Sequence, residues 1–246
     1  MSADKLPAAL LEQATAPYRP VGKFAWHFAR GKLGGDPAFA GLLQRGLIPV
    51  NARLLDIGCG QGLLAALLGS LTGHSAGERA WPPGWAPAPT GVHVHGIELM
   101  PRDVERAQRA LAPVGMRARF TRGDMCATDF GRADVAVILD VLHYVGYEDQ
   151  GEVLRRVRAA LTPGGTLLLR VGDAAAGLPF KISNWVDAVV TFLRGHRLTR
   201  LYCRPLTAWQ QQLTALGFTV EAVPMHAGTP FANMLLVARV PRGAAS

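Results

Sequence analysis

The sequence predicts an α/β sandwich in a single domain, and three observations predict it. Short apolar stretches of strand length alternate with stretches of helical periodicity from about residue 52 to residue 223. The run Ala133 to Leu139 is apolar enough to be buried on both faces, which suggests a parallel strand. The chain then closes on two strand-like segments, 218–223 and 233–239, in the pattern of a hairpin-like pair. With 246 residues, 49% of them hydrophobic, it is long enough for one large domain with a substantial core.

Residues 1–50 read as helices and turns ahead of the sheet. They carry Tyr18, Phe24, Trp26, His27, Phe28, Arg30 and Lys32, a composition that suits a helical lid and equally a packed helical extension. Pro49 and Asn51 break the pattern before a first strand near 52–57. The glycine turn Gly58-Cys59-Gly60-Gln61-Gly62 follows, then an Ala/Leu helix over about 61–71. The prolines and glycines of 73–89 forbid regular structure and mark a loop insertion. A second strand near 92–97 ends at Glu98, and Pro101 opens a helix over 101–111 from a first-turn position. The third strand, near 116–121, leads to Gly123-Asp124-Met125, and the fourth is 133–139. A helix over 148–161 stops at Thr162-Pro163-Gly164-Gly165, ahead of a fifth strand, Thr166 to Val171. Residues 184–193 place Trp185, Val186, Val189, Val190, Phe192 and Leu193 on one helical face, with Ser183 or Asn184 as cap. A helix over 206–216 ends at Gly217 before the final strand pair.

The formal charge of +8 comes mostly from arginine. Such a balance attracts nucleic acid, an anionic membrane or an acidic protein, and a compositional bias toward Arg, Ala and Gly explains it equally well. Arg194, Arg197, Arg200 and Arg204 recur at spacings of three and four, so a continuing helix would carry them on one side. That ridge reads as a solvated face or as a dock for an acidic carrier protein; no RNA- or DNA-reading motif accompanies it. Cys59, Cys126 and Cys203 are odd in number and too widely spaced for a zinc motif or a disulfide framework, which suits a reducing interior. No apolar run reaches the roughly 18 residues of a membrane span, and the first residues lack a signal-peptide pattern, so a cytoplasmic location is expected.

A dinucleotide fingerprint, G-x-G-x-x-G, would need glycine where Leu63 stands. The strand also delivers Asp56 two residues before Gly58, where a carboxylate repels a pyrophosphate and attracts a cation. S-adenosylmethionine has no phosphate and brings an ammonium and a sulfonium. Its ribose needs an acid on the next strand, and Glu98 lies 38 residues after Gly60; setting aside the insertion over 72–91 brings the spacing to 18, close to the ~20 expected between a glycine turn and its ribose acid.

Through Leu54 to Gly62, Gly96-Ile97-Glu98-Leu99, Gly123-Asp124-Met125, Val137 to Tyr144 and Leu161-Thr162-Pro163-Gly164-Gly165, the chain resembles the class I S-adenosylmethionine-dependent methyltransferases over roughly residues 50–172. The resemblance implies a Rossmann-like three-layer sandwich with a mostly parallel seven-stranded sheet whose last two strands form an antiparallel pair. It implies one domain over 1–246: a helical lid or extension at 1–50, a cofactor-binding core at 51–172, and substrate-side helices with the terminal strands at 173–246. It further implies that Asp56, Gly58, Cys59, Gly60 and Gly62 meet the methionine part, that Glu98 binds the ribose hydroxyls, that Asp124 and Met125 hold the adenine, and that Leu99 and Asp140 complete the cofactor set. Read alone, an acid at a strand end equally caps a helix, and Met125 equally belongs to a core.

Methyl transfer from a sulfonium mainly requires alignment and exclusion of water, so no metal is called for. An oxygen or carbon acceptor can still need a base, and His143, just past the fourth strand, is the candidate; a histidine there is equally structural. Tyr18, Trp26, His27, Tyr144, Arg170, Asp173 and His226 are candidates for the acceptor pocket. The stretches Arg194 to Arg197, Tyr202 to Pro205 and Gly228 to Asn233 are similar to methyltransferases of bacterial aryl-polyene and polyketide-like pigment pathways. That similarity implies a hydroxyaryl acceptor, free or on an acyl carrier protein. An RNA methyltransferase is the alternative within the class, opposed by Leu139-Asp140-Val141-Leu142 where amino-directed base methyltransferases carry Asn/Asp-Pro-Pro-aromatic. A cofactor-binding protein without catalysis is the alternative outside it.

Overall fold

The computed structural model describes residues 5–71, 81–115, 117–172, 201–225 and 233–242. The chain forms two compact units, Met1–Asp129 and Phe130–Ser246. The boundary falls in the connection after the third strand.

The first unit opens with α1 (Ala8–Thr15), α2 (Lys23–Gly35) and α3 (Pro37–Gln44). Asp36 accepts the Ala38 N–H at 3.0 Å and Pro37 follows in the first turn, so α3 starts with a side-chain cap and a fixed φ. On α2, Ala25, Ala29 and Leu33 recur every fourth residue and are buried. Next come β1 (Arg53–Ile57), α4 (Leu63–Gly69), β2 (His93–Glu98), α5 (Pro101–Leu111) and β3 (Ala118–Arg122). Residues 63–68 of α4 are all buried, as an all-apolar helix must be, and α1 packs on it. The three strands are parallel in the order β3-β2-β1. Their register aligns Asp56, Gly96 and Phe120 across the sheet.

The second unit contains β4 (Ala133–Leu139), α6 (Tyr147–Ala160), β5 (Leu161–Gly172), α7 (Leu206–Ala215), β6 (Thr219–Pro224) and β7 (Asn233–Arg239). Its strands lie in the order β4-β5-β7-β6, with β4 parallel to β5 and the pairs β5/β7 and β7/β6 antiparallel. Together the two units supply the seven strands of the mostly parallel α/β fold expected, with the antiparallel pair last. Most boundaries shift by one or two residues, and the largest difference is that β5 begins at Leu161, five residues before the predicted start. Leu161 already pairs with Ala133, and the register shift between Ala133 and Val135 absorbs Thr162 to Gly165 as an irregularity of the strand. The predicted helix over 184–193 lies outside the described residues. Among the described residues no helix is long and apolar enough to cross a membrane.

Candidate active site

The glycine turn between β1 and α4 is held from beneath and from both sides. Gly58, Gly60 and Gly62 have φ of +74°, +55° and +78°, values that side chains with a Cβ rarely adopt, and the backbone doubles back through them. The N–H groups of Gly58 and Cys59 donate to the Ile97 carbonyl at 2.8 and 3.2 Å, joining the turn to the end of β2. Below it, Phe120 of β3 fills the space that glycine leaves. A Cβ on Gly62 would lie 3.0 Å from the Phe120 ring, and one on Gly96 would lie 2.7 Å from both that ring and the Cys59 sulfur.

Two acids face this turn. Glu98 uses one oxygen to accept from Gly60 N at 2.9 Å and the other to accept from Met100 N at 2.9 Å. Each carboxylate oxygen has a second lone pair, so the residue fastens the turn and can still receive hydroxyl donors. Asp56 is 5% exposed, and burial, with the Glu98 charge second, pushes its carboxyl up to about 7. A buried acid of this kind is poised to ionise when a cation arrives. Gly123 N donates to the Glu98 carbonyl at 3.0 Å, which brings Asp124 and Met125 to the same edge of the sheet. Asp124 accepts the Cys126 N–H at 2.8 Å, and its side chain shapes that loop. Leu99 is 54% exposed directly after Glu98, an apolar surface suited to cover by a flat ring. The donor set and the apolar step beside it fit the cofactor expected from the sequence.

In the second unit Asp140, His143, Tyr144 and Arg170 gather beyond the end of β4. Asp140 has φ of +58°, a left-handed conformation uncommon outside glycine. Its carboxylate takes both Nε and Nη2 of Arg170, whose side chain is 1% exposed. Asp140 and Arg170, expected at the cofactor and the acceptor respectively, are thus engaged with each other. His143 stacks edge-on against Tyr144 with ring centres 4.3 Å apart. Burial lowers its pKa and the Asp140 charge opposes that, so the imidazole is neutral near pH 7. Its carbonyl accepts the Tyr202 N–H at 2.9 Å. Gln150, fully buried, ties the same region together by donating to the Val145 and Tyr202 carbonyls and accepting from Arg204.

Several residues expected at the acceptor or on the ridge have partners within the chain. Tyr18 offers no hydroxyl to an acceptor: the side chain is fully buried and its O–H donates to the Gln61 carbonyl at 2.8 Å. The Arg19 and Arg30 guanidiniums lie 5.5 and 5.3 Å from the Trp26 ring centre, and His27 stands beside it at 4.7 Å. Those two aromatic side chains belong to a charged cluster that joins α2 to Glu12 of α1 through Arg19 and Arg30. Arg204 leaves the expected basic ridge; it lies over the Tyr147 and Trp209 rings and donates to Gln150 at 2.8 Å. Arg194, Arg197, Arg200, Asp173 and His226 lie outside the described residues. Sequence reasoning overlooked Gln61, Phe120 and Gln150. No spacing rule singles them out, because each matters through a partner 12 or more residues away.

Among the described residues no group of three or more His, Cys, Asp or Glu side chains could hold a metal ion. A profile described as a methyltransferase domain matches residues 25–223. The chain is similar to the tetracenomycin polyketide synthesis 8-O-methyl transferase of Streptomyces glaucescens, 27% identical over 129 residues, or 51% of this chain and 35% of that protein. It is similar to carboxy-S-adenosyl-L-methionine synthase of Chromohalobacter salexigens, 29% identical over 131 residues, or 52% of this chain and 43% of that protein. The chain spans less than half the length of these curated relatives. An O-methyltransferase family protein from Burkholderia thailandensis shares the fold with a TM-score of 0.62 at 17% identity, over 92% of this chain and 62% of that one.

Proposed function

Because this chain belongs to the methyltransferase domain family, matched across residues 25–223, we propose that it transfers a methyl group from S-adenosylmethionine to an oxygen of a small aromatic or acyl-type metabolite. The observation that carries this reading is the buried Asp56 carboxyl beside a glycine turn fastened by Glu98. When bound, the donor supplies an activated methyl group on a sulfonium. Asp56 would meet its ammonium, the backbone of Gly58 to Gly62 its methionine chain, Glu98 its ribose hydroxyls, and Leu99 with Met125 its adenine.

An oxygen acceptor sheds its proton as the new bond forms, and a neutral imidazole is ready to receive it. His143, held neutral by burial, is the residue assigned to that step. Support for oxygen as the acceptor atom and for a small metabolite comes from the Streptomyces relative, which is named as an 8-O-methyl transferase of polyketide synthesis. We favour a free hydroxyaryl metabolite of the pigment type over a carrier-bound one, because Arg204, the ridge arginine that is described, is occupied within its own unit.

The test is incubation with methyl-labelled donor and separated fractions of hydroxyaryl metabolites, acyl carrier protein and RNA. Label in a small-molecule methyl ether supports the reading; label in RNA or carrier protein replaces the acceptor, and donor binding with no labelled product makes the chain a binding protein. In the same assay His143→Ala should lower turnover about 100-fold while the donor dissociation constant stays within about twofold. Unchanged turnover would remove His143 from the proton step.

A further inference from the structure

We propose that Tyr18 is a positioning residue of the cofactor turn, its hydroxyl locking the Gln61–Gly62 peptide so that the N-terminal helices set how tightly the turn holds S-adenosylmethionine. This rests on the functional reading above and adds a residue that no motif contains. The Gln61 carbonyl accepts the Tyr18 hydroxyl at 2.8 Å, and the N–H of the same peptide unit, on Gly62, donates to the Cys59 carbonyl at 2.9 Å. Both ends of that peptide are therefore fixed, one of them by a residue 43 positions earlier in the chain.

The fixation matters because of what flanks it. Gly60 and Gly62 both have positive φ, and glycine rotates between its allowed regions at little cost. Without an external partner the peptide between Gln61 and Gly62 can turn over, carrying its carbonyl away from its present direction. Glu98 holds the preceding segment, one carboxylate oxygen accepting from Gly60 N at 2.9 Å and the other from Met100 N at 2.9 Å. The Gln61 side chain adds a second tie, Nε2 donating to the Ala25 carbonyl at 2.8 Å, and both Gln61 and Tyr18 are fully buried. The phenol stays a donor, because burial and the neighbouring Cys59 and Asp56 raise its pKa far above neutrality. A turn already set in the receiving conformation loses less freedom on binding, and affinity rises accordingly.

Tyr18→Phe removes the hydroxyl and keeps the ring in place. Isothermal titration with S-adenosylmethionine should show a dissociation constant raised about 3- to 10-fold, the value of one hydrogen bond. The Michaelis constant for the donor should rise by the same factor, with turnover changed less than about twofold. Gln61→Met is the comparison, since it deletes the amide tie to Ala25 and leaves the backbone carbonyl for Tyr18. It should lower the melting temperature at least as much as Tyr18→Phe while weakening donor binding less. If both variants lose affinity in proportion to lost stability, or Tyr18→Phe binds within twofold of wild type, the positioning role is overturned with the functional reading intact. If the wild-type protein itself fails to bind the donor, the functional reading falls first.

Discussion

Asp56 illustrates how one side chain can oppose folding and serve a ligand. Its carboxyl is raised to about 7 in the folded chain by burial and by Glu98, against about 4 when unfolded. The folded state therefore holds the proton more tightly. The contribution of this group to stability is fully present below about pH 4 and is lost as pH rises through about 7. A bound ammonium reverses the preference by pairing with the anion. Donor affinity of the wild-type protein should accordingly fall toward tenfold per pH unit below about 7. Asp56→Asn should abolish that pH dependence, weaken donor binding about 10- to 100-fold, and raise the melting temperature at pH 8 more than at pH 5. Titrations and thermal melts across that range check each part; a variant that binds the donor as well as wild type would remove Asp56 from the cofactor. The acid and the glycines were legible from their order along the chain. Phe120 was not, because a phenylalanine on a strand looks the same whether it fills a core or props up a turn.

At the scale of elements, the two residues that let β2 pass under the turn are Gly96 and its neighbour across the sheet, Phe120. A methyl group on Gly96 would meet the Cys59 sulfur and the Phe120 ring at 2.7 Å each. Gly96→Ala should cost about 1–3 kcal/mol of stability and weaken donor binding, because Cys59 belongs to the turn that must shift. The double variant Gly96→Ala with Cys59→Ala should recover part of the loss by relieving one of the two contacts; no recovery would place the strain at Phe120 alone. Element boundaries were mostly readable, since Pro101 and Gly217 punctuate the chain where α5 begins and the turn after α7 ends. The start of β5 was not readable. Thr162-Pro163-Gly164-Gly165 carries every local mark of a loop, and only pairing of Leu161 with Ala133 makes the strand begin before it.

For the molecule as a whole, binding stabilises whichever folded region forms the cradle. Saturating S-adenosylmethionine, at about 100 times its dissociation constant, should raise the folding free energy by about 2.7 kcal/mol. The shift should vanish in Glu98→Ala, which loses the fastening of Gly60. Differential scanning fluorimetry with donor and with adenosine triphosphate separates the two ligand classes: a shift with the triphosphate alone would overturn the exclusion of a phosphate ligand. The sequence by itself determined the α/β class, the seven strand segments and the class of cofactor. It could do so because alternation, strand-end acids and positive-φ glycines are local properties that survive being read along one dimension. Only the tertiary structure decided that the Tyr18 hydroxyl reaches the Gln61 carbonyl and that Asp140 and Arg170 answer each other. It also decided that Arg204 stacks on aromatic rings within its own unit. Each of those assignments depends on which distant group reaches a buried polar atom first, and burial makes that choice costly to leave unmade.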